Sequence, residues 1–117
     1  MKKLFISNFS KHAKDPKAIS IAKGNPQWYD GLQFPILAPT WNMVTNYKKG
    51  VWTEKEYTEA YRTGVLFRCE PRSIVGALQD GSIMLCWCPA GAFCHRVLVA
   101  DWLKEKLGME VNELEKE

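Results

Sequence analysis

Ser82-Ile-Met-Leu-Cys86-Trp-Cys88-Pro-Ala-Gly91-Ala-Phe93-Cys94-His95-Arg96-Val-Leu98-Val99-Ala-Asp101-Trp102-Leu103-Lys-Glu-Lys-Leu107-Gly108 is the stretch on which the reading of this chain turns. Its opening, Ser82 to Trp87, is short, apolar and preceded by the turn pair Asp80-Gly81, which predicts a buried strand. From Cys94 to Leu107 the pattern is helical: Leu98 with Trp102, and Val99 with Leu103 and Leu107, recur at four-residue steps, so one broad face packs while Lys104, Glu105 and Lys106 meet water. Gly108 is placed to end that helix, and Met109 to Leu114 to add a last strand. Strand, helix, strand at this spacing is a crossover unit, and crossovers join parallel strands.

Working outward, Lys3 to Ser7 reads as a buried strand opening into a polar loop, Asn8 to Pro16. Ala18 to Ala22 alternates and predicts a second strand. Phe34 to Ala38 is a third, confined to an edge or a strand start by Pro35. Thr40 caps a helix through Trp41, Val44 and Tyr47, with Gly50 after it. Thr53-Glu-Lys-Glu56 is a capping box that opens a helix carrying Tyr57, Ala60 and Tyr61 on one face. Pro71 suits the first turn of a helix through Ile74, Val75 and Leu78. The expectation is an α/β chain with a mostly parallel sheet and a single domain over residues 1–117.

Composition narrows the function classes. Sixteen Lys and Arg against thirteen Asp and Glu leave a net charge of +3 without clusters, too mild to demand a nucleic-acid partner. No run approaches the roughly 20 apolar residues of a membrane span, and Leu4-Phe-Ile is too short for a signal-peptide core, so the chain reads as cytoplasmic and membrane-free. Three of the four cysteines fall between positions 86 and 94. Such crowding is no disulfide framework, and a reducing cytosol keeps thiols free.

The strand-to-helix junction is where chemistry is expected, since ligands of open parallel sheets bind beyond the strands' carboxyl ends. A helix start carries unpaired N–H groups and partial positive charge, which favour anions and thiolates. Cys94 therefore reads as a reactive thiol or as a small buried hydrophobe. His95 reads as a proton carrier or a satisfied core histidine, with Asp30 and Asp101 as acids that could orient it, Asp101 lying two turns down the helix. Arg96 offers a planar fork for a phosphate or carboxylate, or for a nearby acid. Gly91 and Phe93 belong to the loop that approaches the ligand. Ser7, Asn8, Lys11 and His12 follow the first strand and are expected at the same crevice, while Trp41, with Trp28, Tyr29 and Trp52, offers a ring for stacking or for core packing.

Cys86, Cys88, Cys94 and His95 supply ligand types that zinc accepts, but without the usual two-residue knuckle spacing. A Cys88–Cys94 disulfide needs Cα atoms within about 7 Å.

At Leu85-Cys86-Trp87 and Phe93-Cys94-His95-Arg96-Val-Leu-Val-Ala-Asp-Trp-Leu103 the chain resembles the domain of unknown function 488 family, whose members carry a strand ending in Leu-Cys, a short loop, and Cys-His-Arg opening a helix. Leu4-Phe-Ile-Ser-Asn8, Trp28-Tyr29 and Leu37-Ala-Pro-Thr-Trp41 resemble its small-protein branch, phage or bacterial. Cys88 stands where the family typically has Glu. The resemblance implies a small Rossmann-like three-layer domain and no settled activity. The expected function is a pocket for a phosphate-bearing small molecule, a nucleotide or nucleotide-sugar derivative. Cys94 and His95 would process it and Arg96 would hold its anion, without metal or cofactor. The alternatives are sequestration of a signalling nucleotide without turnover, as phage anti-defence proteins do, thiol redox or zinc chemistry through Cys86, Cys88 and Cys94, and a partner-binding module built on five Trp and four Tyr. Nothing in the composition excludes an oligomer.

Overall fold

A computed structural model of the chain describes residues 2–87 and 93–114. Among these, five strands form one sheet: β1 (Leu4–Asn8), β2 (Ala18–Ser20), β3 (Leu32–Gln33), β4 (Ile83–Cys86) and β5 (Val111–Glu113), in the order β3-β2-β4-β1-β5. All four pairings are parallel. The crossover predicted from the sequence joins β4 to β5 through a helix over His95–Leu107, and the two strands flank β1.

Strand alternation sorts the sheet into two faces. Leu4, Ile6 and Met84 point into the larger core with Leu98, Val99, Trp102 and Leu103. Three further helices cover that face: α2 (Trp41–Lys48), α3 (Glu54–Gly64) and α4 (Pro71–Ala77), contributing Met43, Tyr57, Tyr61 and Ile74. Ile83, Leu85 and Ala18 point the other way, onto Phe9 and Tyr29, whose rings meet edge-on at 5.2 Å. The three layers are therefore unequal: helices on one side, one helical turn and an aromatic loop on the other. This is a small α/β, Rossmann-like domain.

The helix starts follow local sequence. Thr40 accepts from the Met43 N–H, and Thr53 and Glu56 close both bonds of the capping box, satisfying donors that helix starts otherwise leave bare. Gly108 ends α5 (His95–Leu107) at φ 66°, a left-handed conformation that glycine adopts without a Cβ clash.

Two expectations need correction. The polar segment after β1 is not all loop: Phe9–His12 form a helical turn, α1, because the Asn8 side chain caps it by accepting from the Lys11 N–H at 3.0 Å. Phe34 to Ala38 is not a strand. Pro35 starts a 3-10 turn over Pro35–Leu37, where its fixed φ fits and its missing N–H costs nothing, and the edge strand falls earlier, at Leu32–Gln33. No described helix is long and apolar enough to cross a membrane.

Candidate functional site

The site lies where β2 and β4 end and α5 begins. Cys86 closes β4 and, two residues after Met84, projects to the same face, under the start of α5. Cys94 is the N-cap of that helix, and its side chain makes no capping bond. It turns to Cys86 instead, and the two sulfurs pair as a disulfide with Cα atoms 7.5 Å apart. Cys88, the partner considered from spacing, lies outside the described residues, as does Gly91.

His95 is 5% exposed. Its Nε2 lies 2.7 Å from the Ile21 carbonyl, which can only accept, so Nε2 carries the proton and Nδ1 keeps the lone pair. Nδ1 faces the Cys94 sulfur at 3.6 Å. Burial pushes the imidazole pKa down from 6.5 to about 4, with the Arg96 charge adding to the effect and the Ile21 bond opposing it. His95 is thus a neutral, oriented base at neutral pH. The orienting group is a backbone carbonyl rather than an acid: Asp30 and Asp101 are both exposed. Ile21 is itself held, because its N–H donates to the Leu85 carbonyl at 3.0 Å as β2 runs out of the sheet.

Arg96, fully buried, turns its fork away from solvent. Nε and Nη2 each meet a Glu113 carboxylate oxygen at 3.2 Å, and Nη1 lies 2.7 Å from the Cys86 sulfur. A guanidinium at that distance favours the thiolate when Cys86 is reduced. Cys86, Cys94 and His95 present ligand atoms within 4.8 Å of one another. Among the described residues no fourth ligand joins the group. The Arg96 charge lies against Cys86, where it opposes a second cation.

Above these residues opens a cavity of about 350 Å³. Trp41, Tyr47, Tyr57, Trp87 and Phe93 make its aromatic walls, with Cys86, Cys94 and His95 at its floor and Lys23, Asn25 and Lys48 also lining it. Both lysines are exposed. Of the residues expected from the sequence, Trp41, Phe93, Cys94 and His95 meet here. Arg96 sits behind them, reaching the site through Cys86. Ser7, Asn8, Lys11 and His12 are not in the lining: Asn8 caps α1, and Ser7, on the sheet face opposite Cys86, meets His12 Nδ1 at 2.6 Å. Trp28 is exposed outside the cavity, while Tyr29 and Trp52 pack against the cores.

The sequence reading missed Ile21, Lys23, Tyr47, Lys48 and Glu113. Lys23 had a signal, since it follows β2 at a carboxyl end of the sheet, where ligands bind. Glu113 had none, because a partner seventeen residues from Arg96 is set by the return of β5 to the sheet.

A family model described as the active DUF488-N3 subclade, DUF488-N3a, matches residues 8–107. Searches of curated proteins and of solved structures return no match. The matched span contains β4, α5, the Cys86–Cys94 pair and the His95–Ile21 bond, and by that match the chain belongs to the DUF488-N3a family.

Proposed function

We propose that this protein binds a planar, phosphate-bearing small molecule of the nucleotide or nucleotide-sugar class and cleaves it with Cys94 as nucleophile. One observation carries the reading: a cysteine at a helix start faces the unprotonated Nδ1 of a buried histidine whose other nitrogen is locked to the Ile21 carbonyl, all at the floor of an aromatic cavity. A nucleophile, its base and the group that orients the base form the arrangement on which covalent catalysis rests.

In the reduced protein His95 Nδ1 takes the Cys94 proton, and the thiolate attacks the glycosidic carbon or the phosphorus of the bound molecule. The leaving oxygen or nitrogen collects the proton from His95. Water, deprotonated by the same Nδ1, then hydrolyses the thio-adduct and returns the thiol. The first-turn N–H groups of α5 stabilise negative charge developing beside Cys94. A base or similar ring stacks on the aromatic walls, and Lys23 and Lys48 face the phosphate.

The test uses reduced protein with a panel of nucleoside monophosphates, nucleoside diphosphates and nucleotide sugars, followed by tryptophan fluorescence for binding and mass spectrometry for products. Turnover by wild type that disappears in Cys94→Ser and falls steeply in His95→Gln is expected. Equal turnover by Cys94→Ser would overturn the mechanism. Binding without any product would instead make this a sequestering protein.

A further inference from the structure

The geometry points to a reversible oxidation site: a small hydroperoxide oxidises Cys94 to a sulfenic acid, and Cys86 condenses with it to a disulfide that a dithiol reopens. This modification needs no substrate of the cleavage reaction and does not rest on that reading.

Three features of the site carry it. The two sulfurs are already partners, so a sulfenic acid on Cys94 has its resolving thiol in contact. Each sulfur has its own activating group: His95 Nδ1 stands at 3.6 Å from Cys94 to take its proton, and Arg96 Nη1 at 2.7 Å from Cys86 favours the thiolate that must attack second. Access is selective as well. Cys86 is 1% and Cys94 6% exposed, yet both line the cavity. A small hydroperoxide or dithiol is the class of reagent that a cavity of this size takes in.

The chemistry balances in two steps. The Cys94 thiolate attacks the outer oxygen of the hydroperoxide. The O–O bond breaks, the alkoxide or hydroxide leaves with the proton held on His95, and Cys94 becomes S–OH. The Cys86 thiolate then attacks the Cys94 sulfur, the S–S bond forms, and hydroxide leaves to become water with a proton from solvent. In sum, one hydroperoxide and two thiols give one alcohol or water, one water and one disulfide. The external dithiol reverses only the sulfur oxidation and is itself oxidised to a disulfide. A cysteine without such a neighbour proceeds to the irreversible sulfinic acid, so Cys86 protects Cys94 while withdrawing it from use as a nucleophile.

Four cysteines are present in the chain, and the test isolates two of them. In a Cys69→Ser/Cys88→Ser background, hydrogen peroxide or cumene hydroperoxide should remove both remaining thiols with loss of two hydrogens in the intact mass, and dithiothreitol should restore both. Adding Cys86→Ser should let dimedone trap a sulfenic acid on Cys94, which without dimedone should pass on to the sulfinic acid. Wild type treated alongside should lose two of its four thiols, which keeps the experiment informative if a variant fails to fold. Thiols that resist peroxide while a small alkylating reagent labels them, or that pass to sulfinic acid with Cys86 present, would overturn the inference. Neither result touches the cleavage assay, which is run on reduced protein.

Discussion

His95 titrates in the unfolded chain but resists protonation in the folded one, and this makes a quantitative prediction. Burial and Arg96 lower its pKa from 6.5 to about 4, so between those values the unfolded chain binds a proton that the native protein refuses. The stabilising contribution is therefore complete above about pH 6.5 and is lost as pH falls towards about 4. At about 1.36 kcal/mol per unit, the gap corresponds to roughly 3 kcal/mol, of which roughly 2 kcal/mol is gone by about pH 5. The contribution is read as a difference against His95→Gln, which keeps an N–H donor for the Ile21 carbonyl but takes up no proton in this range. Urea unfolding followed by tryptophan fluorescence at several pH values between about 7.5 and 5, with the cysteine pair in one redox state throughout, gives both curves. Wild type should lose roughly 2 kcal/mol more than the variant over that range. Parallel pH dependences would mean that His95 is hydrated and takes up its proton alike in the native and unfolded states, and the buried, locked imidazole of the mechanism would go with them.

Further outcomes follow from other residues. Leu103, fully buried in the larger core, should cost about 2–5 kcal/mol on truncation to Ala, measured by urea unfolding. Tyr61→Phe keeps the ring that stacks on Tyr57 but removes the hydroxyl that donates to the buried Leu37 carbonyl at 2.6 Å, and should cost about 1–2 kcal/mol in the same assay. Lys23→Glu/Lys48→Glu should weaken a nucleoside monophosphate by about tenfold at low salt and leave the uncharged nucleoside unaffected in a fluorescence titration. An equal loss for both ligands would remove the lysines from phosphate recognition.

Elements whose signals are local were legible in the chain. The strand Ile83–Cys86 and the helix His95–Leu107 follow from hydrophobic period, and Thr40, the Thr53–Glu56 box, Pro71 and Gly108 mark helix ends because a cap satisfies backbone groups within a few residues of itself. The junction at Cys94 stood out for the same reason, as a strand exit followed directly by a helix start. Phe34 to Ala38 misled because an apolar run does not distinguish a strand from a 3-10 turn until the position of its proline is tied to a hydrogen-bond ladder.

What the chain alone determined, then, was a parallel α/β unit with a thiol and an imidazole at a helix start. Tertiary structure decided what surrounds those groups. Only folding brings the Ile21 carbonyl to His95, Glu113 and Cys86 to Arg96, and Lys23 and Tyr47 to the cavity. The physical reason is that these contacts join residues far apart along the chain, so their geometry depends on strand order and helix packing, which no local pattern of side chains encodes.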